Sequence, residues 1–343
     1  MFIIEYIVYF TIAYISAYVF YNYLLLTAHY LIKDNAPHSG IPKTRFIILI
    51  PAHNEELLLA RVLESFKVLN YPPNQYEVVV IADNCTDNTA GISREHGVDV
   101  IERYDEENKG KGRAIKYALE NIDMENYDAA FIIDADSVAD SELLTHLDQI
   151  LTEGGKIIQC NNGVGNADKT WFTRLLDVSR NIENEILQPG KHKLGLSSHL
   201  TGNGMCFSTG TLKKYGWGAF SVGEDWEYYA KLIMKGEMVK FANRAKVFHE
   251  ESSSLKQATS QRIRWSSGRF AIVWKYGLAI FYRGVIEGNI KKVDASLPLI
   301  FPNPSLAINL TLLLLFIVSL LPIANRGAIL MWCTSLIVLQ LSL

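Results

Sequence analysis

No charged side chain occurs in residues 6–26, and that stretch constrains the chain more than any other. It matches the roughly 20 apolar residues needed to cross the hydrocarbon core of a bilayer. A cleaved secretory leader is the competing reading. Such a leader has a shorter apolar run, a basic start where Glu5 stands, and a small-residue cleavage site that is not evident before Lys33. The stretch therefore reads as a membrane span. Two further apolar blocks follow Pro304, at residues 306–323 and 328–343, with Asn325, Arg326 and Gly327 between them. They read as a membrane hairpin whose last segment is short, either a tilted helix or the cut end of a longer chain. Lys33, Lys43 and Arg45 follow the first span, and Arg283, Lys291 and Lys292 precede the second. By short-loop charge the segment between the spans is expected to be cytosolic, on the inner or plasma membrane.

From about residue 44 to 250 the pattern changes to short branched apolar runs alternating with amphipathic stretches, the pattern of a parallel α/β sheet. Residues 46–50, 78–82 and 130–133 are the clearest strands, with a weaker one at 98–101. Helical patterns follow at 55–69, 88–96, 112–121 and 141–151. In such sheets ligands bind beyond the carboxyl ends of the strands, where this chain concentrates its unusual polar residues. Residues 255–274 mix basic and aromatic side chains at helical spacing, as a helix lying in a membrane interface does. The expected divisions are a first span at 1–32, a catalytic domain at 44–252, an interfacial segment at 253–295 and a hairpin at 305–343. Four scattered cysteines form no C-x-x-C pair and suit a reducing compartment. A net charge of −3 gives no reason to expect a nucleic-acid partner.

Asp134-Ala-Asp136 follows an apolar strand. Alternate strand positions face one way, so both carboxylates can hold one hard cation, Mg²⁺ or Mn²⁺, which neutralises a departing diphosphate. A solvated turn would be the plainer reading of D-x-D alone, and its place in a βα unit argues against that. Glu224-Asp225 opens a helical run. Acids there are often helix caps, yet an inverting sugar transfer needs a carboxylate base, for which Asp225 is the candidate with Glu224 in support. Gln261, Arg264 and Trp265 fall within about one helical turn and offer a guanidinium for diphosphate and an indole for a sugar face, or serve only as an interface anchor. Pro51-Ala-His-Asn-Glu-Glu56 and Asp83-Asn-Cys-Thr-Asp87 sit after the first two strands, where they could read a base and ribose or act as ordinary turns and caps. Asn108-Lys-Gly-Lys-Gly-Arg113 offers cations for phosphate without the spacing of a P-loop.

In order, P-A-H-N-E-E, A-D-N-C-T-D, G-K-G-R-A, D-A-D, G-E-D and Q-R-I-R-W resemble the family 2 glycosyltransferases. The likeness is to the membrane-bound branch that includes cellulose, chitin, hyaluronan and poly-N-acetylglucosamine synthases, and it covers residues 45–270 plus the flanking spans. It implies a GT-A sheet, Rossmann-like in its first half, and inverting, β-forming transfer from a UDP-sugar. By position it makes Glu55 and Asp83 nucleotide contacts, Lys111 a contact near the donor, and Asp136 the main metal ligand with Asp134 beside it and the nucleotide sugar. Asp225 becomes the base, and Gln261, Arg264 and Trp265 the acceptor and diphosphate group. The Q-x-x-R-W pattern favours processive synthesis on a glycan acceptor, with single addition to a lipid acceptor as the alternative. Ala82 before Asp83, Gly223 before Glu224 and Asn203 within Thr201-Gly-Asn-Gly-Met205 depart from the pattern and bear on the donor sugar. So few spans imply partner subunits or further copies for a complete channel. A silent membrane scaffold would not need Asp134, Asp136 and Asp225 intact, and a nucleotidyltransferase would not need Q-R-I-R-W beside membrane spans.

Overall fold

The computed structural model describes residues 2–33, 40–252, 254–301 and 304–342. Residues 34–39 of the basic loop, residue 253 at the start of the expected interfacial segment and the closing residue 343 lie outside that description.

β1 (Phe46–Ala52) is apolar and almost wholly buried. It lies between β2 (Tyr76–Asp83) and β4 (Ala129–Ile132), parallel to both, and a strand covered on both faces needs no polar side. Its side chains alternate between two cores, with Ile47 and Leu49 in one and Phe46, Ile48 and Ile50 in the other. β3 (Asp99–Arg103) extends this parallel half beyond β2.

The second half departs from the expected all-parallel sheet. β7 (Met205–Ser208) runs antiparallel between β4 and β6 (Ile157–Val164). β8 (Lys240–His249) is parallel to β6, and β5 (Ser137–Ala139) closes the edge antiparallel to β8. The order is β3-β2-β1-β4-β7-β6-β8-β5. β7 is antiparallel to both of its neighbours, so the chain returns to the sheet from the end at which β6 leaves it.

The helices, in chain order, are α1 (Phe2–Leu31), α2 (Leu59–Phe66), α3 (Thr89–Glu95), α4 (Lys111–Asn121) and α5 (Leu143–Thr152). They continue with α6 (Trp171–Asn181), α7 (Gln188–Lys193), α8 (Thr209–Tyr215) and α9 (Glu224–Met234). The last five are α10 (Leu255–Ile272), α11 (Leu278–Ile286), α12 (Ile290–Ile300), α13 (Pro304–Leu320) and α14 (Arg326–Leu341). α2 shows why these segments are helical: Leu59, Val62, Leu63 and Phe66 recur at helical spacing and are the residues it buries.

Within α1, residues Ile3–Leu31 contain an 18-residue stretch of mean hydropathy 1.7 and are long and apolar enough to cross a membrane. α13 and α14 have 17 and 16 residues, each shorter than the roughly 20 a span needs. α12 and α13 meet that requirement only as a pair bent by 68°. α1, α13 and α14 share a third core, where Ile15 and Val19 meet Leu314, Val318, Cys333 and Leu336.

Candidate active site

The strand ends of the parallel half supply the first wall. After β1 and β2 the chain turns through Asn54 and Asn84, both with positive φ (57° and 51°), a conformation that asparagine tolerates better than most side chains. Asn54 Oδ1 accepts from Thr86 N at 2.8 Å, and Glu55 N donates to Thr89 Oγ1 at 2.9 Å, so the two loops are tied together. Burial first, then the charges of Asp136 and Asp134, push the Glu55 carboxyl up to about 7.

Asp83 is nearly buried at the end of β2, and its Oδ1 accepts from Arg103 Nη1 at 2.6 Å and Asn84 Nδ2 at 3.0 Å. Arg103, at the end of β3, also reaches Asp105 at 2.8 Å and the Asn108 carbonyl at 2.7 Å. The Asp83 carboxylate thus anchors the loop leading to Lys111. Sequence reasoning missed Arg103, although a lone cation ending a strand beside an acid-ended strand was the available signal.

Asp134 and Asp136 correct the alternation argument. β4 ends at Ile132, and both aspartates sit in the turn before β5, closed by Ser137 N donating to Asp134 O at 3.2 Å. They face the same cleft because the turn is pinned from outside. Asp134 N donates to Asn203 Oδ1 at 3.0 Å, while Asn203 Nδ2 holds Ser137 Oγ at 2.9 Å and Asn162 Oδ1 at 3.2 Å. Burial first, then the Asp134 charge, raises the Asp136 carboxyl above the usual aspartate range. His249, at the end of β8, works in the opposite direction.

Lys111, the first residue of α4, bridges the halves: its ammonium bonds to Asp134 and to the Gly202 carbonyl, with Glu224 Oε1 at 3.9 Å. Burial works against that charge, but Asp134, Glu224 and Asp225 outweigh it and hold the lysine above its usual range. Glu224 and Asp225 are the first two residues of α9. Burial first, then the Glu224 charge, pushes Asp225 up to about 7. Its Oδ2 would lie 3.2 Å from a Cβ placed on Gly202, whose φ is +81°, so only glycine suits that position.

Burial holds the Glu224 carboxyl above its usual range, against the pull of Lys111 and, less, of Arg264 on α10; there Arg264 is exposed, Gln261 is half-buried and Trp265 is 43% exposed. Trp265 lines a cavity of about 500 Å³ that also reaches Trp226, the neighbour of Asp225. One face of Trp226 stacks on His199 (centroids 4.8 Å apart, 13° between planes), and the Arg269 guanidinium lies 5.0 Å from its ring centroid.

The cleft therefore gathers Glu55, Lys111, Asp134, Asp136, Glu224 and Asp225 by mutual electrostatic influence, with α10 beside them. Asp83 stands behind this group, engaged by Arg103. Among the described residues no group of three or more His, Cys, Asp or Glu forms a ready metal cage. Sequence reasoning passed over His249, and it marked Asn203 only as a departure bearing on the donor sugar, not as the residue that pins the Asp134 turn. The glycines flanking Asn203 and the polar cluster closing β8 were the signals.

An eight-stranded mixed sheet whose parallel half ends in this acidic cleft is a GT-A architecture. A mannosyltransferase from Pyrobaculum calidifontis, solved with GDP-Man and Mn²⁺, has the same fold over 98% of both chains, with a TM-score of 0.66 at 18% identity. The profile of glycosyltransferase-like family 2 matches residues 42–268, and the chain belongs to that family. A probable glycosyltransferase of Bacillus subtilis is 27% identical over 245 residues, which are 69% of this chain and 57% of that protein. A beta-monoglucosyldiacylglycerol synthase of Nostoc is 26% identical over 232 residues, 65% of this chain and 48% of that one. The chain spans about half the length of these curated relatives.

Proposed function

We propose that the protein is an inverting hexosyltransferase that moves a sugar from a UDP-sugar to an acceptor presented at a membrane. The convergence of Asp134 and Asp136 with Asp225 on either side of Lys111 carries this reading. The acceptor hydroxyl gives its proton to Asp225 while its oxygen bonds to the anomeric carbon. The carbon–oxygen bond to the nucleoside diphosphate breaks, and its electron pair leaves with the diphosphate. Glu224 tunes the base, and Lys111 offsets the charge of Asp134 and the acid pair. Glu55 and Asp83 fit nucleotide contacts, the second through the loop it orders with Arg103.

Asp136 and Asp134 fit a hard divalent cation, Mg²⁺ or Mn²⁺. Burial and then the neighbouring Asp134 charge raise the Asp136 carboxyl, a cost that a bound cation would offset, and such ions are commonly held by one or two carboxylates plus substrate phosphates. When bound, the cation supplies charge neutralisation for the departing diphosphate.

In this reading residues 44–252 are the catalytic domain and α1 is the anchor, with 305–343 as an accessory hairpin. Ile263, Phe270, Trp274 and Tyr282 are exposed along 253–295, which supports an interfacial placement. Gln261, Arg264 and Trp265 beside the base support processive extension of a glycan, with further copies or partner subunits completing a channel. Single addition to a lipid is favoured by one specific observation: the cavity beside Asp225 has α1 as its other wall.

Membranes carrying the protein, incubated with a panel of labelled UDP-sugars and Mn²⁺ or Mg²⁺, should yield labelled product from one donor. Polymer or single-sugar lipid then separates the two readings. UDP binding without transfer from any donor would favour a silent scaffold.

A further inference from the structure

The cavity beside Trp226 is not part of the donor cleft: Lys111, Asp134 and Asp136 do not line it. Its walls run from Trp226 and Trp265 at the catalytic end to Tyr18, Tyr21 and Leu25 of α1, and to Pro304 and Ser305 at the start of α13. At about 500 Å³ it has the size of a small-ligand site. Asp225 itself does not line it, but its neighbour Trp226 does and its charge acts on the lining Arg269, so the cavity lies between the surroundings of the proposed base and the helix that is apolar enough to cross a membrane.

Its polar lining is unlike that of a neutral sugar site. Arg180, Lys191, Arg262 and Arg269 all line it, against a single lining acid, Glu183. The acids behind the wall compensate only in part. Arg180 and Arg262 share Glu251 at 3.9 and 4.0 Å, both at the long limit of an ion pair. Lys191 is 3% exposed and faces Asp294 at 3.1 Å, but its Nζ makes no hydrogen bond. Arg269 donates to the carbonyls of Pro298 and Phe301 and stacks on Trp226; among the described residues no carboxylate makes an ion pair with it, and Glu183 and Asp225 act on it only at longer range. Even with Glu183 ionised, the lining carries one negative charge against four cations. Cations gathered in a partly buried cavity are costly unless an anion joins them, and the guanidinium fork matches phosphate oxygens.

We propose that this cavity binds the phosphate-bearing head of an amphiphilic acceptor, with Arg180, Arg262 and Arg269 as its phosphate ligands and α1 as the guide for its hydrocarbon chain. This rests on the glycosyltransferase reading of Asp225 and deepens it, since a phosphate held here leaves a neighbouring free hydroxyl to meet the base. Two sources carry that chemistry: a glycerophospholipid with an alcohol head, and a prenyl-phosphate-linked sugar.

The test uses the full chain in detergent and reads tryptophan fluorescence, because Trp226 and Trp265 line the cavity. It is titrated with short-chain phosphatidylglycerol, with a short prenyl-diphosphate-linked sugar, and with the matching diacylglycerol. At least one phosphorylated compound should bind about tenfold or more tighter than the neutral one, and which of the two does so identifies the source. The double variant Arg180→Gln/Arg262→Gln should remove that difference while UDP affinity in Mn²⁺ stays the same. A milder Arg262→Lys, which keeps the charge and loses the fork, should retain part of it. Equal affinity for neutral and phosphorylated compounds, or a preference that survives the double variant, overturns the proposal. Absence of UDP binding in the unmutated protein would instead overturn the glycosyltransferase reading, and the amphiphile titration would still report on the cavity.

Discussion

The two halves of the molecule build their shares of the cleft differently. In residues 46–136 the functional acids stand at or just beyond the ends of apolar strands, Glu55 after β1, Asp83 at the end of β2 and Asp134 after β4, with Lys111 opening α4. In residues 157–305 the contributors are scattered. Asn203, Asp225, Trp226, His249, Trp265 and Arg269 come from β8, α9, α10 and a loop, and α1 closes the cavity from the other end of the chain. The first half repeats one strand-to-helix geometry suited to a nucleotide and its metal. On the proposed reading the second half meets the acceptor, so substitutions there should change what is glycosylated more than whether donor binds.

The largest expected effect tests the donor half. Asp136→Ala should abolish transfer and weaken UDP binding in Mn²⁺, because it removes half of the carboxylate pair at the turn. Full activity of the unmutated protein in EDTA would break the assignment of that half. Next comes Asp225→Asn, which keeps the shape and removes the base. Turnover should fall by about 10²–10⁴-fold with UDP-sugar affinity nearly unchanged, since the lost interaction belongs to the transition state. Wild-type turnover would move the base to Glu224 and blur the division between the halves.

A smaller effect probes how α1 is joined to the acceptor half. A Cβ on Gly190 of α7 would lie 2.3 Å from the Leu25 carbonyl, a backbone atom that cannot swing away. Alanine at a helical position normally gains about 0.5–1 kcal/mol over glycine, whereas overpacking of this kind costs about 1–3 kcal/mol. Gly190→Ala should therefore lower the thermal midpoint in detergent and slow transfer to membrane acceptors, with UDP affinity intact. An unchanged or raised midpoint would mean that α1 docks elsewhere.

The same contrast governs what could be read in advance. β1 was legible because a strand buried on both faces is apolar without interruption, and Asp134 and Asp136 were legible as the acids that follow such a run. The reason first assigned to them was wrong: they share a cleft through a turn pinned by Asn203, some 69 positions away, not through strand alternation. Long-range partners of that kind leave no local periodicity. The antiparallel course of β7 was hidden for a related reason, since four residues carry no signal of direction. The cavity was least legible of all, because its lining comes from α1, the α6–α7 region, α9, α10, the end of α12 and the start of α13.

A further expected effect is a slope with pH, and it distinguishes the two acids at about 7. Asp225 owes its raised value to burial and to Glu224; Glu55 owes its own to burial and to the aspartates of the donor half. Transfer requires ionised Asp225, so the rate at saturating donor should rise about tenfold per unit below pH 7 and level off above it. Stability without metal should move the other way. An unfolded aspartate releases its proton near 4, whereas the folded Asp225 holds it to about 7, so between these values the folded state binds more protons. Each rise in pH across that window therefore favours unfolding, and above it the loss is complete. Asp225→Asn should flatten its share of the slope and leave that of Glu55, which Glu55→Gln then removes. Denaturant unfolding from pH 4 to 8 measures both shares. A metal-free protein that grows more stable across the window would show that neither acid is held neutral by its burial, and Asp225 would lose its suitability as a base near neutral pH.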